Sequence, residues 1–265
     1  MDRKMRNIGY GILIIGILSV GTLVVINFTA PTKYLHFERV FSQSELTSVN
    51  YVSIIIHGLV DCELSLQFED NTDLMYRIDV ELYDVNQTLH FQYLDYTASV
   101  PGIGINAGDN IGSTTRVKSM DIVLGTKHPY RIIFFGDYSE NVTADIEYSN
   151  GANLGGGAFA YTMPGNLELD FDENVDPSEG GLEMEIGLDS SPLEFATVNI
   201  DLPDEMDGYA AIRASFESIT TSGWVIYDED SVYHVKHYRT AENPQGPLLN
   251  IWRLLAGTLV ANLHD

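Results

Sequence analysis

Apolar and polar side chains alternate with period two along most of this chain. Cys62, Leu64, Leu66 and Phe68 alternate with Glu63, Ser65, Gln67 and Glu69. Tyr76, Ile78, Val80 and Leu82 alternate with Arg77, Asp79, Glu81 and Tyr83. The same rhythm returns at Val142-Ala144-Ile146-Tyr148, Leu167-Leu169-Phe171, Leu182-Met184-Ile186-Leu188 and Val198-Ile200-Leu202. Each run puts apolar side chains on one face and polar ones on the other, as a half-buried antiparallel strand does. Asp70-Asn71, Asn150-Gly151, Pro164-Gly165-Asn166, Glu179-Gly180-Gly181 and Asp207-Gly208 punctuate the runs as turns. No window of similar quality supports an amphipathic helix. The pattern predicts an all-β fold of stacked antiparallel β-repeats, arranged as a ladder or a sandwich. Residues 248–252 and 259–263 read as closing strands, with a short terminal helix as the alternative for the second.

One segment breaks the rhythm. Ile8 to Ile26 is an uncharged run of nineteen residues, twelve of them Ile, Leu or Val. At about 1.5 Å per residue a helix of that length spans roughly 28 Å, close to a bilayer's hydrocarbon core. Arg3, Lys4 and Arg6 precede it, and the next basic residue is Lys33. Positive-inside logic keeps the N-terminus in the cytoplasm and exports the rest. A cleaved secretory signal is the competing reading; its apolar region is usually only about 7–15 residues long. The expected organisation is a cytoplasmic N-terminus over 1–7, a membrane helix over 8–27, a polar stalk over 28–49 after Pro31, an N-terminal β region over 50–112 and a C-terminal β-repeat region over 113–265. The stretch from Asp95 to Thr115 reads as the long loop that divides the last two.

Charge narrows the partners. Residues 28–265 hold 11 of the 14 Lys plus Arg and 37 of the 38 Asp plus Glu, so their formal charge is −26. Such a surface repels nucleic acid and anionic headgroups. Cys62 stands alone, in phase with Leu64, Leu66 and Phe68, and reads as a buried structural thiol. Sequons place glycosylation candidates at Asn86 and Asn141, with Asn27 too near the bilayer to be a good acceptor.

The cadence of residues 50–265, with pieces such as Val198-Asn199-Ile200-Asp201-Leu202-Pro203 followed by Gly208, resembles prokaryotic adhesin-like domains of the toast-rack type. The resemblance implies stacked β-repeats with short strands and Gly- or Asn-bearing turns, often on membrane-anchored proteins. It implies no catalytic residues.

Candidate chemistry is sparse. Asp170, Asp172, Asn174, Asp176 and Glu179 form the densest acidic segment and are the candidate metal ligands, for a Ca²⁺-binding turn. Asp170, Asp172 and Asn174 match the first, third and fifth ligands of an EF-hand loop, but Val175 stands where glycine is required and Gly181 where glutamate is. Asp201, Asp204, Glu205 and Asp207 form a second cluster. His234 and His237 would point to opposite faces of a strand, which defeats a shared metal. The glycine-rich pieces Gly102–Gly108 and Gly151–Gly157 open no helix, so phosphate binding is not expected and both read as loops or bulges.

No cofactor beyond that calcium is expected, and no enzyme activity. The expected role is structural, adhesive or interactive at the cell surface, with surface proteins or glycans as partners and self-association through strand edges. A pilin- or archaellin-like filament subunit is the first alternative, suggested by the apolar run after Arg6-Asn7. An ectoenzyme or solute-binding domain is the second.

Overall fold

The computed structural model describes residues 32–265 apart from 98, 108–114, 137–138, 173–174, 176–181, 188–195, 204–208, 215–217, 223, 231–234, 240–247, 255–257 and 265. Strand β1 (Lys33–Val40) and the one-turn helix α1 (Glu45–Ser48) come first. Strands then come in pairs that step between two sheets. The first pair is β2 (Val52–His57) and β3 (Glu63–Glu69). After β4 (Leu74–Leu82) and β5 (His90–Thr97) come β6 (Val100–Asn106) and β7 (Val117–Gly125), then β8 (Tyr130–Phe135) and β9 (Val142–Tyr148). They are followed by β10 (Ala158–Tyr161) and β11 (Gly165–Phe171), β12 (Glu183–Gly187) and β13 (Ala196–Pro203), β14 (Tyr209–Ala214) and β15 (Ser218–Ser222). After β16 (Val225–Asp230) and β17 (Val235–Arg239), the chain closes with β18 (Leu248–Leu254) and β19 (Thr258–His264).

One sheet runs β1-β4-β7-β3-β9-β11-β13-β19-β15, the other β16-β17-β14-β18-β12-β10-β8-β2-β6-β5. Read along both sheets, the pairs stack in one order: β6/β7, β2/β3, β8/β9, β10/β11, β12/β13, β18/β19, β14/β15. The ladder predicted from the sequence is present, and both closing segments are strands.

Its strands are not antiparallel. Every neighbouring pair within the seven rungs is parallel. Antiparallel pairing is confined to the strands at the ends: β1·β4, β4·β7, β5·β6, β14·β17 and β16·β17. The reason lies in what alternation reports. A parallel sheet usually has both faces covered and reads as a continuous apolar run. Here two parallel sheets cover each other, each leaves its outer face in water, and the crossover between parallel neighbours is a strand of the opposite sheet. Period two therefore reports one buried face and says nothing about strand direction.

The inner faces stack in register. Ile122, Leu66, Ile146, Leu169 and Ile200 form one buried row of the nine-stranded sheet. Ile105, Ile56, Phe134, Tyr161 and Ile186 form one of the ten-stranded sheet. Aromatic rings tie the layers together. Phe68 stacks on Tyr148 at 5.2 Å within one sheet and meets Tyr130 of the other edge-on at 5.8 Å. Tyr148 also stacks on Phe171 at 4.9 Å. Cys62 is buried in this core, as its phase predicts, and burial pushes its thiol up to about 12.

Two further expectations give way. From Lys33 on, the segment read as a stalk is folded: β1 pairs with β4 from Lys33↔Leu82 to Val40↔Leu74. Only Leu35 and Phe37 supply apolar side chains to its inner face, too few to register as a strand pattern. The stretch read as a dividing loop contains the last three residues of β5 and all of β6. Gly102 and Gly104 alternate with the buried Ile103 and Ile105 and pair with Ser53 and Ile55 of β2. Those glycines occupy the outer face of a strand where side chains were looked for. The regions divided at 112/113 share both sheets. Among the described residues no helix is long and apolar enough to cross a membrane, and Ile8–Ile26 lies outside them.

Candidate functional site

Among the described residues, the outer face of the nine-stranded sheet sets polar side chains in register from strand to strand. In-register pairing sets one residue from each strand in a row: His36, Asp79, Asp121, Ser65, Asp145, Glu168 and Asn199. Neighbouring strands lie about 4.8 Å apart, so this row crosses seven strands in roughly 30 Å. Two residues further along the strands, Glu147, Asp170 and Asp201 form a second row. Two residues back, Ser119, Glu63, Thr143, Asn166 and Thr197 form a third.

The β1 end of this face is neutralised by local partners. His36 Nδ1 lies 2.7 Å from Asp79 Oδ1, and this contact, more than those with Glu38, raises the imidazole above its usual range. Glu81 accepts from Lys118 Nζ at 3.0 Å and from the Tyr34 hydroxyl at 3.1 Å. A groove of about 230 Å³ lies among Tyr34, His36, Asp79, Glu81, Ser119 and Asp121. Ser65 donates to Asp121 at 2.8 Å, so it is not set against the imidazole as a nucleophile against its base.

The middle of the face is different. Among the described residues no Lys, Arg or His forms an ion pair with Asp145, Glu147, Glu168, Asp170 or Asp201. The side-chain amide of Asn199 donates to Glu168 at 3.2 Å. Partial burial, then the charges of Asp201, Glu168, Asp145 and Glu147, push the Asp170 carboxyl up to about 6. Like charges directly opposite on paired strands are destabilising, so this face stores repulsion.

The sign of that repulsion is testable. The folded value, about 6, lies above the ordinary 3.8, so the folded chain holds this proton more tightly than the unfolded one. Stability from this group is present at low pH and is lost as pH rises through about 6. The whole shift corresponds to about 3 kcal/mol, and water at this partly exposed position cuts the expectation to about 1 kcal/mol. Asp170→Asn should therefore melt about 2–4 °C above the parent at pH 7.5, with the gap closing by about pH 4. An equal gap at both values would remove Asp170 from the account.

The candidate calcium ligands distribute as follows. Asp170 points into the second row. Asp172, just past β11, accepts from the backbone N–H of Asn150 at 3.3 Å. Asn174, Asp176 and Glu179 lie outside the described residues, as do His234 and the acids at 204, 205 and 207. No group of three metal-ligating side chains occurs among the described residues. Both sequon asparagines considered above are exposed: the Asn86 amide donates to Asp84 at 3.1 Å, the Asn141 amide to Asp61 at 3.1 Å. The row residues His36, Asp79, Asp121, Asp145 and Glu168 were not singled out from sequence. Asp79, Asp145 and Glu168 each occupy a polar position inside an alternating run, and laying those runs one below another is the signal that would have found them.

No family model matches the chain, and no curated protein matches it. A solved structure from Clostridium sporogenes, described as a "putative cell adhesion protein", aligns with 87% of this chain and 100% of its own at 11% identity and a TM-score of 0.47. At that similarity the function has to be argued from this chain's own geometry.

Proposed function

We propose that this chain is a membrane-anchored cell-surface protein with an adhesive or interaction role. Residues 8–27 would serve as its anchor and the acidic sheet face as its contact surface. The observation that carries the reading is the register of that face. One row of polar side chains crosses seven strands at strand spacing, flanked by rows of three and five, with few cations among the described residues to balance the carboxylates. A broad periodic face of one sign suits many weak simultaneous contacts with cationic groups of surface proteins or with polyhydroxylated glycans, and such contacts multiply when presented together. The uncharged run Ile8–Ile26 and its basic flank support the anchor and the outward orientation.

An epitope fused after Asp265 tests the orientation. Antibody should label intact cells, and labelling only after permeabilisation would reverse the topology. The face itself is tested by Asp121→Asn, Asp145→Asn and Glu168→Gln combined. Adherence of cells bearing this variant should fall several-fold, and the parent's adherence should weaken with added salt. Unchanged adherence at equal surface abundance removes the face from the role.

A further inference from the structure

The two sheets do not end together. At one end the nine-stranded sheet extends past the β6/β7 rung by β4 and β1, whereas the ten-stranded sheet extends by β5 alone. At the other end the nine-stranded sheet stops on β15, level with β14 in the rung order, and the ten-stranded sheet continues through β17 and β16. The nine-stranded sheet thus ends on the lip strand β1, whose inner face is covered by β5 of the other sheet, with Phe37 stacked on Phe91 at 4.0 Å. The ten-stranded sheet ends on the lip strand β16, and among the described residues each of these two strands has one edge without a backbone partner. Such edges template pairing with another chain unless they are blocked.

These lips also gather the exposed apolar surface. Eight large apolar side chains are exposed among the described residues, and five lie on the two lip strands: Tyr34 and Val40 on β1, Val225, Ile226 and Tyr227 on β16. Ile226 shows why. Its register partner Tyr238 is buried at 5%, yet Ile226 is 50% exposed, because the lip carries its inner face beyond the last strand of the opposite sheet. Val225 pairs with Arg239 and lies on the outer face, as do Tyr34 and Val40 on β1.

Charge separates the strands by sign. β16 holds Asp228, Glu229 and Asp230 and no basic residue, although Lys236 and Arg239 stand beside it on β17. β1 holds Lys33, His36 and Arg39 against Glu38. Asp79 holds His36 and Glu45 holds Arg39, so Lys33, which donates to the Gln87 carbonyl, is its cation without a carboxylate partner among the described residues. In a chain this acidic, a strand with a basic excess is the complementary edge available for an acidic one. Two β16 edges would instead bring like charges together.

We propose that this chain self-associates head to tail, the β16 edge of one copy pairing with the β1 edge of the next. The junction would add backbone hydrogen bonds between two open edges and bring either Tyr34 or Val40, according to strand direction, beside Val225 and Tyr227, since the first two stand about 20 Å apart on β1. Because the joined surfaces differ, the contact is heterologous and propagates rather than closing at a dimer. It goes beyond the adhesive reading and stands without it.

Sedimentation velocity on the full chain in detergent micelles tests the junction, at about 10–100 µM, a range that reports weak association. The parent should associate with increasing concentration. Two double variants at exposed positions break the two lips separately: Val225→Lys with Tyr227→Lys, and Tyr34→Glu with Val40→Glu. Each alone should be monomeric and melt cooperatively, the β1 variant at a lower temperature than the parent because Tyr34 donates to Glu81. Mixed in equal amounts they should associate again, since a lysine-bearing β16 then meets a glutamate-bearing β1 and the unaltered lips meet each other. A monomeric parent, a β1 variant that associates like the parent, or a mixture that stays monomeric would each overturn the proposal. The second result would show β16 pairing with itself.

Discussion

Phe68→Ala should lower the stability of this protein by about 3–5 kcal/mol, the range for losing a fully packed aromatic side chain. Phe68 is 2% exposed and stands where the layers are joined, against Tyr148 of its own sheet and Tyr130 of the other. Three losses combine. The free energy gained by burying the ring's apolar area is lost, the stacked and edge-on contacts go, and a void remains between sheets held apart by neighbouring rungs. In a domain of this size that is a fall in melting temperature of about 6–20 °C. Phe68→Leu keeps most of the volume and should cost less than half as much. Calorimetry on both variants decides it; a shift below about 2 °C for the alanine variant would mean that the layers are not held together here.

Gly165→Ala should be at least as damaging, for a different reason. Gly165 opens β11 with φ +129°, a backbone region that is essentially closed to other residues and costs about 1–3 kcal/mol to force. A Cβ there would also collide with the carbonyl oxygen of Val142, its register partner on β9, and stand 2.7 Å from that residue's nitrogen. Backbone atoms cannot rotate aside as a side chain can. Relief would require the β9 and β11 rungs to separate, which breaks the parallel ladder at its centre. Gly151→Ala is the control. Its φ is +74° with nothing within 4 Å of the new methyl group, so only the backbone preference is paid, about 1–2 kcal/mol. If both variants melt together, the collision at Gly165 is absorbed and the rung spacing is softer than the register implies.

The limits of the sequence follow from the same residues. Leu64, Leu66 and Phe68 mark a strand because one face is buried, and that much is local. Which strands touch, and in which direction, depends on segments far apart in the chain: Ser65 sits between Asp121 and Asp145 only because β3 is inserted between β7 and β9. No spacing in the sequence records that insertion. The acidic face was therefore legible as a net charge and not as a set of rows. β1 was missed because Leu35 and Phe37 are its only inward apolar side chains, and β6 because Gly102 and Gly104 read as a loop. Cys62 was placed correctly because its neighbours in phase are all apolar.

The position of β1 has a mechanical consequence. It begins at Lys33, a few residues after the proposed anchor, and one edge of it is unpaired. With residues 8–27 as the proposed anchor, a pull on the folded part would enter it there, at Lys33↔Leu82, and would be resisted first by the antiparallel ladder to β4. The force at which β1 yields would depend on that seam and on the stacking of Phe37 against Phe91 of β5, rather than on the seven rungs behind it. A neighbour's β16 on the free edge would clamp β1 from both sides, so a row of copies would hold under tension that strips a lone molecule from its tether.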